Sequence, residues 1–269
     1  MDGELKPTGT PRDTFKTVEQ TIDLPDAGFV VGIPTLNRFD LLPRSIDAIL
    51  AGSVVPAAIY IVDNSGGKWE GHSSPLVKTI VPQYNLGCSR SWNLLMQLTQ
   101  PFPMVVSSDD LEVGHNTLER MLACDADLVA ASAGAAMMAF LIRHPAWVKV
   151  GKFDESIYPI YHEDNDYVRR AYLAGVSMGC PPSDGFRDHG PSATKRSLNG
   201  TEVYEWNHSF NLCRAYYLRK WGGVPHHELY AMPFDKDPVE EFLAVKHMDI
   251  ENTNAIARWK KIQLGIPLT

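Results

Sequence analysis

One stretch, Phe102 to Val113 (FPMVVSSDDLEV), sharply narrows the folds open to this chain. A short apolar run (Pro103, Met104, Val105, Val106) breaks into Ser107, Ser108, Asp109 and Asp110, with Glu112 just beyond. Apolar β-branched residues bounded by polar ones predict a buried strand. Acidic residues at the carboxyl end of such a strand stand where open α/β sheets place their ligands. Adjacent carboxylates repel one another, so a cation between them is the expected partner, and oxygen donors of this kind suit Mg²⁺ or Mn²⁺. Taken alone, a solvated acidic turn accounts for these residues equally well.

The preceding residues repeat the pattern. Phe29 to Ile33 predicts a strand closed by Pro34-Thr35-Leu36-Asn37-Arg38, and Leu41 to Leu50 carries apolar residues at helical spacing. Ala58 to Val62 predicts a second strand, ending in Asp63-Asn64-Ser65, and Thr79 to Pro82 a third. Asn85-Leu86-Gly87 makes a turn before a helix over Ser89 to Leu98, and a further helix lies near Asn116 to Cys124. Strand, helix, strand, helix, strand is the signature of a parallel sheet with helices on its faces. The polar turns at Thr35–Arg38, Asp63–Ser65 and Ser107–Asp110 then collect along one sheet edge, which reads as a binding edge.

The second half is less regular. Leu128 to Ile142 predicts one or two buried strands; at 15 residues it falls short of the roughly 20 apolar residues of a spanning helix. Glu163 to Asp166 is an acidic cluster ahead of a helical segment, Tyr167 to Ala174, and a carboxylate-rich helix start also suits the helix dipole. Asp188 ends a predicted strand, Asn207 to Trp221 reads as an aromatic-rich helix stopped by Gly222-Gly223, and Asn254 to Gln263 as a last helix. The aromatics Trp206, Tyr216, Tyr217 and Trp221 are assigned to the core rather than to a sugar platform, and His162, His208, His226 and His227 to ordinary packing. Residues 1–27 are an irregular, Pro-containing arm.

Bulk properties exclude some classes. At 269 residues the chain can bury one large core or two small ones. A net charge of −7 argues against nucleic acid or membrane as the main partner, while leaving a local basic patch open. Cys88, Cys124, Cys180 and Cys213 form no CxxC pair, so neither a zinc site nor a disulfide framework is expected and a reducing cytoplasm is the default. The polar N-terminus shows no secretory signal, and a soluble, cytoplasmic protein without a transmembrane segment is expected.

From Val30 to about Trp221 the chain resembles the family 2 glycosyltransferases of the GT-A fold. The resemblance rests on ordered motifs: Val31-Gly-Ile-Pro-Thr-Leu-Asn37, Val62-Asp-Asn-Ser65, Asn85-Leu-Gly87 with Trp92-Asn93, Ser108-Asp-Asp110 at the place of the DxD motif, Gly134–Met137 through Gly151–Glu155, His162-Glu-Asp164 at the xED motif and His189-Gly-Pro-Ser192. It implies a Rossmann-like three-layer α/β/α sandwich with a mainly parallel central sheet. Residues 28–225 would form the GT-A domain, with a nucleotide-sugar half at 28–113 and an acceptor half at 114–225. Residues 226–269 would be a C-terminal helical extension.

The implied activity is inverting, metal-dependent transfer of a sugar from a nucleotide-diphosphate donor, a UDP-sugar favoured, to a hydroxyl by single displacement. Asp164 would be the general base, with Glu163 placing the acceptor or sugar. Asp63 or Asn64 would bind the base, with Pro34 and Leu36 lining its pocket. Asn37, Arg38, Asn85, Arg90, Ser108 and Asp109 complete the donor set. Asp110 and His189 would hold the divalent metal, Mn²⁺ or Mg²⁺. Two departures stand out: Ser108 replaces the first Asp of DxD, and Trp92 stands where the family often has Arg. The acceptor is left open among a glycan, a protein hydroxyl, a lipid-linked saccharide and a modified nucleobase. A nucleotidyltransferase would want a Gly-rich basic loop where Pro34–Arg38 stands, and a catalytically inactive nucleotide-sugar-binding module is favoured by Ser108 alone.

Overall fold

The computed structural model describes residues 28–131, 138–188 and 200–235. Residues 1–27, Gly134–Met137, His189–Ser192 and the stretch Asn254–Gln263, where a last helix is expected, lie outside the described residues. Nine strands are described: β1 (Val30–Thr35), β2 (Ala58–Asp63), β3 (Val77–Ile80), β4 (Met104–Ser107), β5 (Leu111–Val113), β6 (Leu128–Ala130), β7 (Ala139–Ile142), β8 (Met178–Gly179) and β9 (Phe186–Asp188). The helices among them are α1 (Leu42–Leu50), α2 (Gly87–Thr99), α3 (Thr117–Ala123), α4 (His144–Val150), α5 (Glu163–Leu173) and α6 (Gly200–Trp221).

A seven-stranded sheet runs β3-β2-β1-β4-β7-β6-β8, with β5 and β9 in a separate antiparallel pair. The first four strands are parallel, β7 runs antiparallel to both its neighbours, and β8 is parallel to β6. Alternate strand residues sort to opposite faces, as the two-residue period of a strand demands. On one face Val31, Ile33, Ile59, Ile61 and Val105 meet Ile46 and Ile49 of α1 and Leu118 and Met121 of α3. On the other, Val30, Val62, Val106 and Phe140 meet Leu95 of α2, Ala146 of α4 and Tyr167 of α5. The result is a three-layer α/β/α sandwich. β2 is buried at every position, which is why it reads as an unbroken apolar run.

The structure moves several boundaries. β3 starts at Val77, ahead of the expected Thr79. Leu128–Ile142 contains two strands, β6 and β7. Helix α4 was not foreseen, because Pro145 breaks the apolar pattern; proline is acceptable there since it occupies the first turn, where its missing N–H has no intrahelical partner. α5 begins at Glu163 rather than Tyr167, so the acidic cluster is its first turn. α6 begins at Gly200, a turn and more before Asn207, and residues 226–235 form turns rather than helix. Of the aromatics assigned to the core, Tyr217 and Trp221 are fully buried, whereas Trp206 and Tyr216 are half-buried.

Candidate active site

The carboxyl ends of β1, β2 and β4 meet at the same level, since Thr35 pairs with Asp63 and Gly32 with Val106. Three residues past that last pair, Thr35 Oγ1 donates a hydrogen bond of 2.6 Å to Asp109 Oδ2, and Ser45 Oγ of α1 donates to the Asp109 carbonyl at 3.1 Å. Burial lifts the Asp109 carboxyl to about 7, against the opposing pull of the Thr35 hydrogen bond. Asp110 beside it is also buried and accepts a hydrogen bond from Ser108 Oγ. Ser108 therefore supplies a hydroxyl that orients Asp110.

The Arg38 guanidinium is occupied by Asp40, at 3.0 and 2.9 Å. Asp63 is fully buried: its Oδ1 accepts from Ser65 N (2.9 Å) and Ser65 Oγ, its Oδ2 from Trp69 N (3.1 Å). That carboxylate folds residues 65–69 back over the strand end. Asn64 reaches α2, accepting from Leu86 N at 2.8 Å and donating to Ser91 Oγ at 3.1 Å. Asn85 Oδ1 accepts from Gly87 N at 2.8 Å. Leu36 is exposed, Pro34 half-buried, and Asn37 Oδ1 is buried with no hydrogen-bond partner among the described residues. Arg90 stacks over the Tyr158 ring at 5.7 Å, with its Nε 3.5 Å from Glu155.

The first turn of α2 is the meeting point. Cys88 N donates to Pro159 O at 2.8 Å, Ser89 Oγ to Ile157 O at 3.2 Å, and Asn93 exchanges hydrogen bonds with Phe153 N (2.8 Å) and O (3.0 Å). Gly87 has φ +67, and a Cβ there would sit 2.5 Å from Pro159 O, so only glycine lets the helix and the loop approach this closely. Two residues beyond that loop, Tyr161 (φ 82) and His162 (φ 73) adopt left-handed backbone, which costs non-glycine residues on the order of 1–2 kcal/mol each and is concentrated at functional sites. They turn the chain directly into Glu163 and Asp164.

Glu163 is buried, its Oε2 has no hydrogen-bond partner among the described residues, and burial with the charge of Asp164 lifts its carboxyl to about 8. Asp164, partly open to solvent, is also raised by burial, against the N–H of Asn165 at 2.7 Å and the charge of His226. The Cys88 thiol, itself pushed up by burial, lies in the fields of Glu163, Asp109 and Asp164 together. The Asp109 and Asp164 loops thus converge on the start of α2, and Asn64 ties the Asp63 loop to the same turn.

Asp166, two residues on, faces inward instead. It accepts from Arg170 Nε (2.8 Å), Trp221 Nε1 (2.9 Å) and Lys220 Nζ (2.6 Å), and Lys220 also reaches Asp154 at 2.7 Å. Among the described residues no group of three or more His, Cys, Asp or Glu side chains is arranged to hold a metal ion, and His189 lies outside them. The donor chemistry still fits a hard cation at Asp110: two adjacent buried carboxyls carry hydroxyl oxygens beside them, while the nearby Arg38 is spent on Asp40. Sequence reasoning put Thr35 in the edge turn without a role of its own, assigned His226 to ordinary packing and left Cys88 out of the site. None carries a local signal, because each acquires its neighbours only through the tertiary fold.

No family model matches the chain, and no curated protein matches it. Among solved structures it is similar to a mannosyltransferase of Pyrobaculum calidifontis in complex with GDP-Man and Mn²⁺, at 14% identity and a TM-score of 0.54, covering 90% of this chain and 76% of that one. It is also similar to S. aureus TarS 1–349 in complex with UDP-GlcNAc, at 12% identity and a TM-score of 0.53, covering 87% and 81%. At these identities the likeness is one of fold, and the fold is the GT-A type.

Proposed function

We propose that this chain is an inverting glycosyltransferase of the family 2 type, moving a sugar from a nucleotide-diphosphate donor to an acceptor hydroxyl. The observation that carries the reading is the carboxyl pair of buried Glu163 and partly open Asp164, delivered by strained backbone to the same helix start that Asp109 and Asp63 approach. An acceptor hydroxyl is a poor nucleophile, and Asp164, partly open and raised by burial, is suited to take its proton as attack proceeds. Glu163, protonated near neutrality, donates a hydrogen bond to a hydroxyl of acceptor or sugar. A single base opposite the leaving group gives one displacement and inversion at the anomeric carbon.

The donor lies along the ends of β1, β2 and β4. Leu36 and Pro34 face the base, Asp63 and Asn64 hold the loops around it, and Asn37, Asn85 and Arg90 lie toward the diphosphate. Asp110, oriented by Ser108, is the described residue that would hold Mn²⁺ or Mg²⁺, with His189 as a second ligand. When bound, that ion offsets the negative charge building on the departing diphosphate. UDP-sugars are the favoured donors; a glycan, a protein or a modified nucleobase carries the acceptor hydroxyl. No described helix is long and apolar enough to cross a membrane, and the reading places the reaction in the cytoplasm.

The test is release of nucleoside diphosphate from UDP-GlcNAc and GDP-mannose by the purified chain, with Mn²⁺, with Mg²⁺ and with EDTA. Metal-dependent release that disappears in Asp164→Asn, with nucleotide affinity retained by calorimetry, is the expected result. Nucleotide binding without release, across a broad acceptor panel, would instead favour an inactive binding module.

A further inference from the structure

One face of α6 leaves the core beside the carboxyl pair of α5. Trp206, Phe210, Cys213, Tyr217 and Trp221 recur at the three- and four-residue steps that align side chains along a helix. Cys213, Tyr217 and Trp221 are buried, and Trp221 Nε1 donates to Asp166 at 2.9 Å. Trp206 and Phe210 continue the same face but keep part of their surface in solvent. Their rings are parallel to within 4°, with centroids 5.9 Å apart. Tyr161 stands nearly perpendicular to both, at 4.9 Å from Trp206 and 5.3 Å from Phe210. It is itself half-buried, in left-handed backbone two residues ahead of Glu163. His162, next along, lies 5.6 Å from Phe210 and 5.3 Å from Tyr217. The aromatic face of α6 and the entry to α5 are thus packed ring on ring.

We propose that Tyr161, Trp206 and Phe210 form the acceptor platform, and that the acceptor is a glycan held by the C–H face of a neutral pyranose. The inference rests on the glycosyl-transfer reading of Asp164 and narrows its acceptor to a saccharide. A pyranose carries hydroxyls around its rim and C–H groups on its faces, so it buries a face on aromatic rings while its rim stays hydrogen-bonded. Both requirements meet here. The three rings supply the apolar surface. The Glu163 carboxyl, 5% exposed, takes the backbone N–H of Tyr161, so it stands beside the residue that carries the ring cluster. Its Oε2 has no hydrogen-bond partner among the described residues, and a sugar hydroxyl would satisfy it.

Other acceptors fit this surface less well. A nucleobase also stacks on aromatic rings, but it brings a phosphate chain with it. That chain would meet Asp164 and the exposed Glu205 of α6, with Arg214 the exposed cation of that stretch, on a protein of net charge −7. A serine or threonine hydroxyl on a protein has no ring face to lay on the platform. Aromatic exposure is also not spread evenly round α6. Tyr204, exposed and stacked on His208 at 6.3 Å, stands about 200° round the helix from Trp206 and belongs to a different face.

The experiment is saturation-transfer NMR on the whole chain, irradiating aromatic protein protons. The probes are neutral disaccharides of glucose, N-acetylglucosamine, galactose and mannose, a single-stranded oligonucleotide and a Ser/Thr-rich peptide. Transfer to the ring C–H protons of at least one disaccharide is expected. Its affinity should fall about tenfold in Trp206→Leu, which keeps apolar bulk without the ring, and largely return in Trp206→Phe. Tyr204→Ala should leave it unchanged, and calorimetry should give the same UDP and GDP affinities in all variants. With UDP-GlcNAc or GDP-mannose as donor, the disaccharide KM should rise by a similar factor in Trp206→Leu while the donor KM holds. Saccharide binding that is absent or indifferent to Trp206, or ring-dependent capture of the oligonucleotide or peptide instead, overturns the proposal. If the wild-type chain binds saccharide through Trp206 but cleaves no donor, the transfer reading fails and the platform stands as a saccharide site. Donor cleavage without ring-dependent saccharide binding sinks the platform alone.

Discussion

Thr35 and Asp109, 74 positions apart, are joined by a 2.6 Å hydrogen bond that locks the carboxyl end of β1 to that of β4. It is the main favourable contact of a carboxyl that burial lifts to about 7. Because the folded pKa lies above the ordinary aspartate value of 3.8, the native state binds the proton more tightly than the unfolded chain. The stability this group contributes is therefore fully present below the unfolded value and lost as pH rises toward 7.

Thr35→Val removes a hydrogen bond to the ionised carboxylate and should cost roughly 1–3 kcal/mol once Asp109 is charged. Urea unfolding at about pH 5 and about pH 8.5 is the measurement: the loss is expected to be larger at the higher pH. Asp109→Asn should flatten the pH dependence and bring the two pH values closer together.

Lys220 is buried between Asp154 and Asp166, joining α6 to the first turn of α5. Burial pushes the Asp154 carboxyl up, and the Lys220 ammonium outweighs it, leaving that group below its ordinary value. Lys220→Met leaves two carboxylates without their shared cation and should cost about 3–5 kcal/mol in urea unfolding. Adding Asp154→Asn should recover part of that loss. Additive losses in the double variant would show that the ion pair is not the source of the stability.

At Gly87 a Cβ would both strain a left-handed backbone and strike Pro159 O at 2.5 Å. Gly87→Ala should destabilise by more than the ~1 kcal/mol of an ordinary left-handed alanine, because the obstacle is backbone that cannot swing aside. The loop it displaces leads into Glu163 and Asp164, so donor hydrolysis should fall while nucleotide binding at the β1 and β4 ends holds. Thermal melting and calorimetry separate the two effects.

Elements with a strong apolar period were legible in the sequence. β1, β2, β4, α1 and α2 appear close to their expected bounds, because each must bury one or both faces. α4 hid behind Pro145, and the start of α5 behind Glu163–Asp166, which have no apolar period to mark a helix. β5 is three residues long and follows the acidic turn directly, too short to show alternation. The site was legible only in part. Asp109, Asp110 and Asp164 stand out as acids at element ends, but Asp63 shows the limit of that logic. Its position at a strand end suggests a ligand contact, whereas its oxygens are taken by Ser65 and Trp69. The neighbours of Asp164 come from α2 and from the turn after α6, and no spacing along the chain reports them.

The carboxyl pair at the start of α5 gives the last prediction. Asp164 must be ionised to accept a proton, while Glu163, lifted to about 8 by burial and by Asp164, must keep its proton to donate. Their titrations belong to the pair, so kcat/KM for donor cleavage should rise to a plateau and fall again near pH 8. Glu163→Gln keeps a neutral donor at every pH and should erase the alkaline fall while leaving the acid limb. Asp164→Asn should abolish cleavage across the whole range. An alkaline fall that survives in Glu163→Gln would assign it to another group and leave Glu163 with no protonic role.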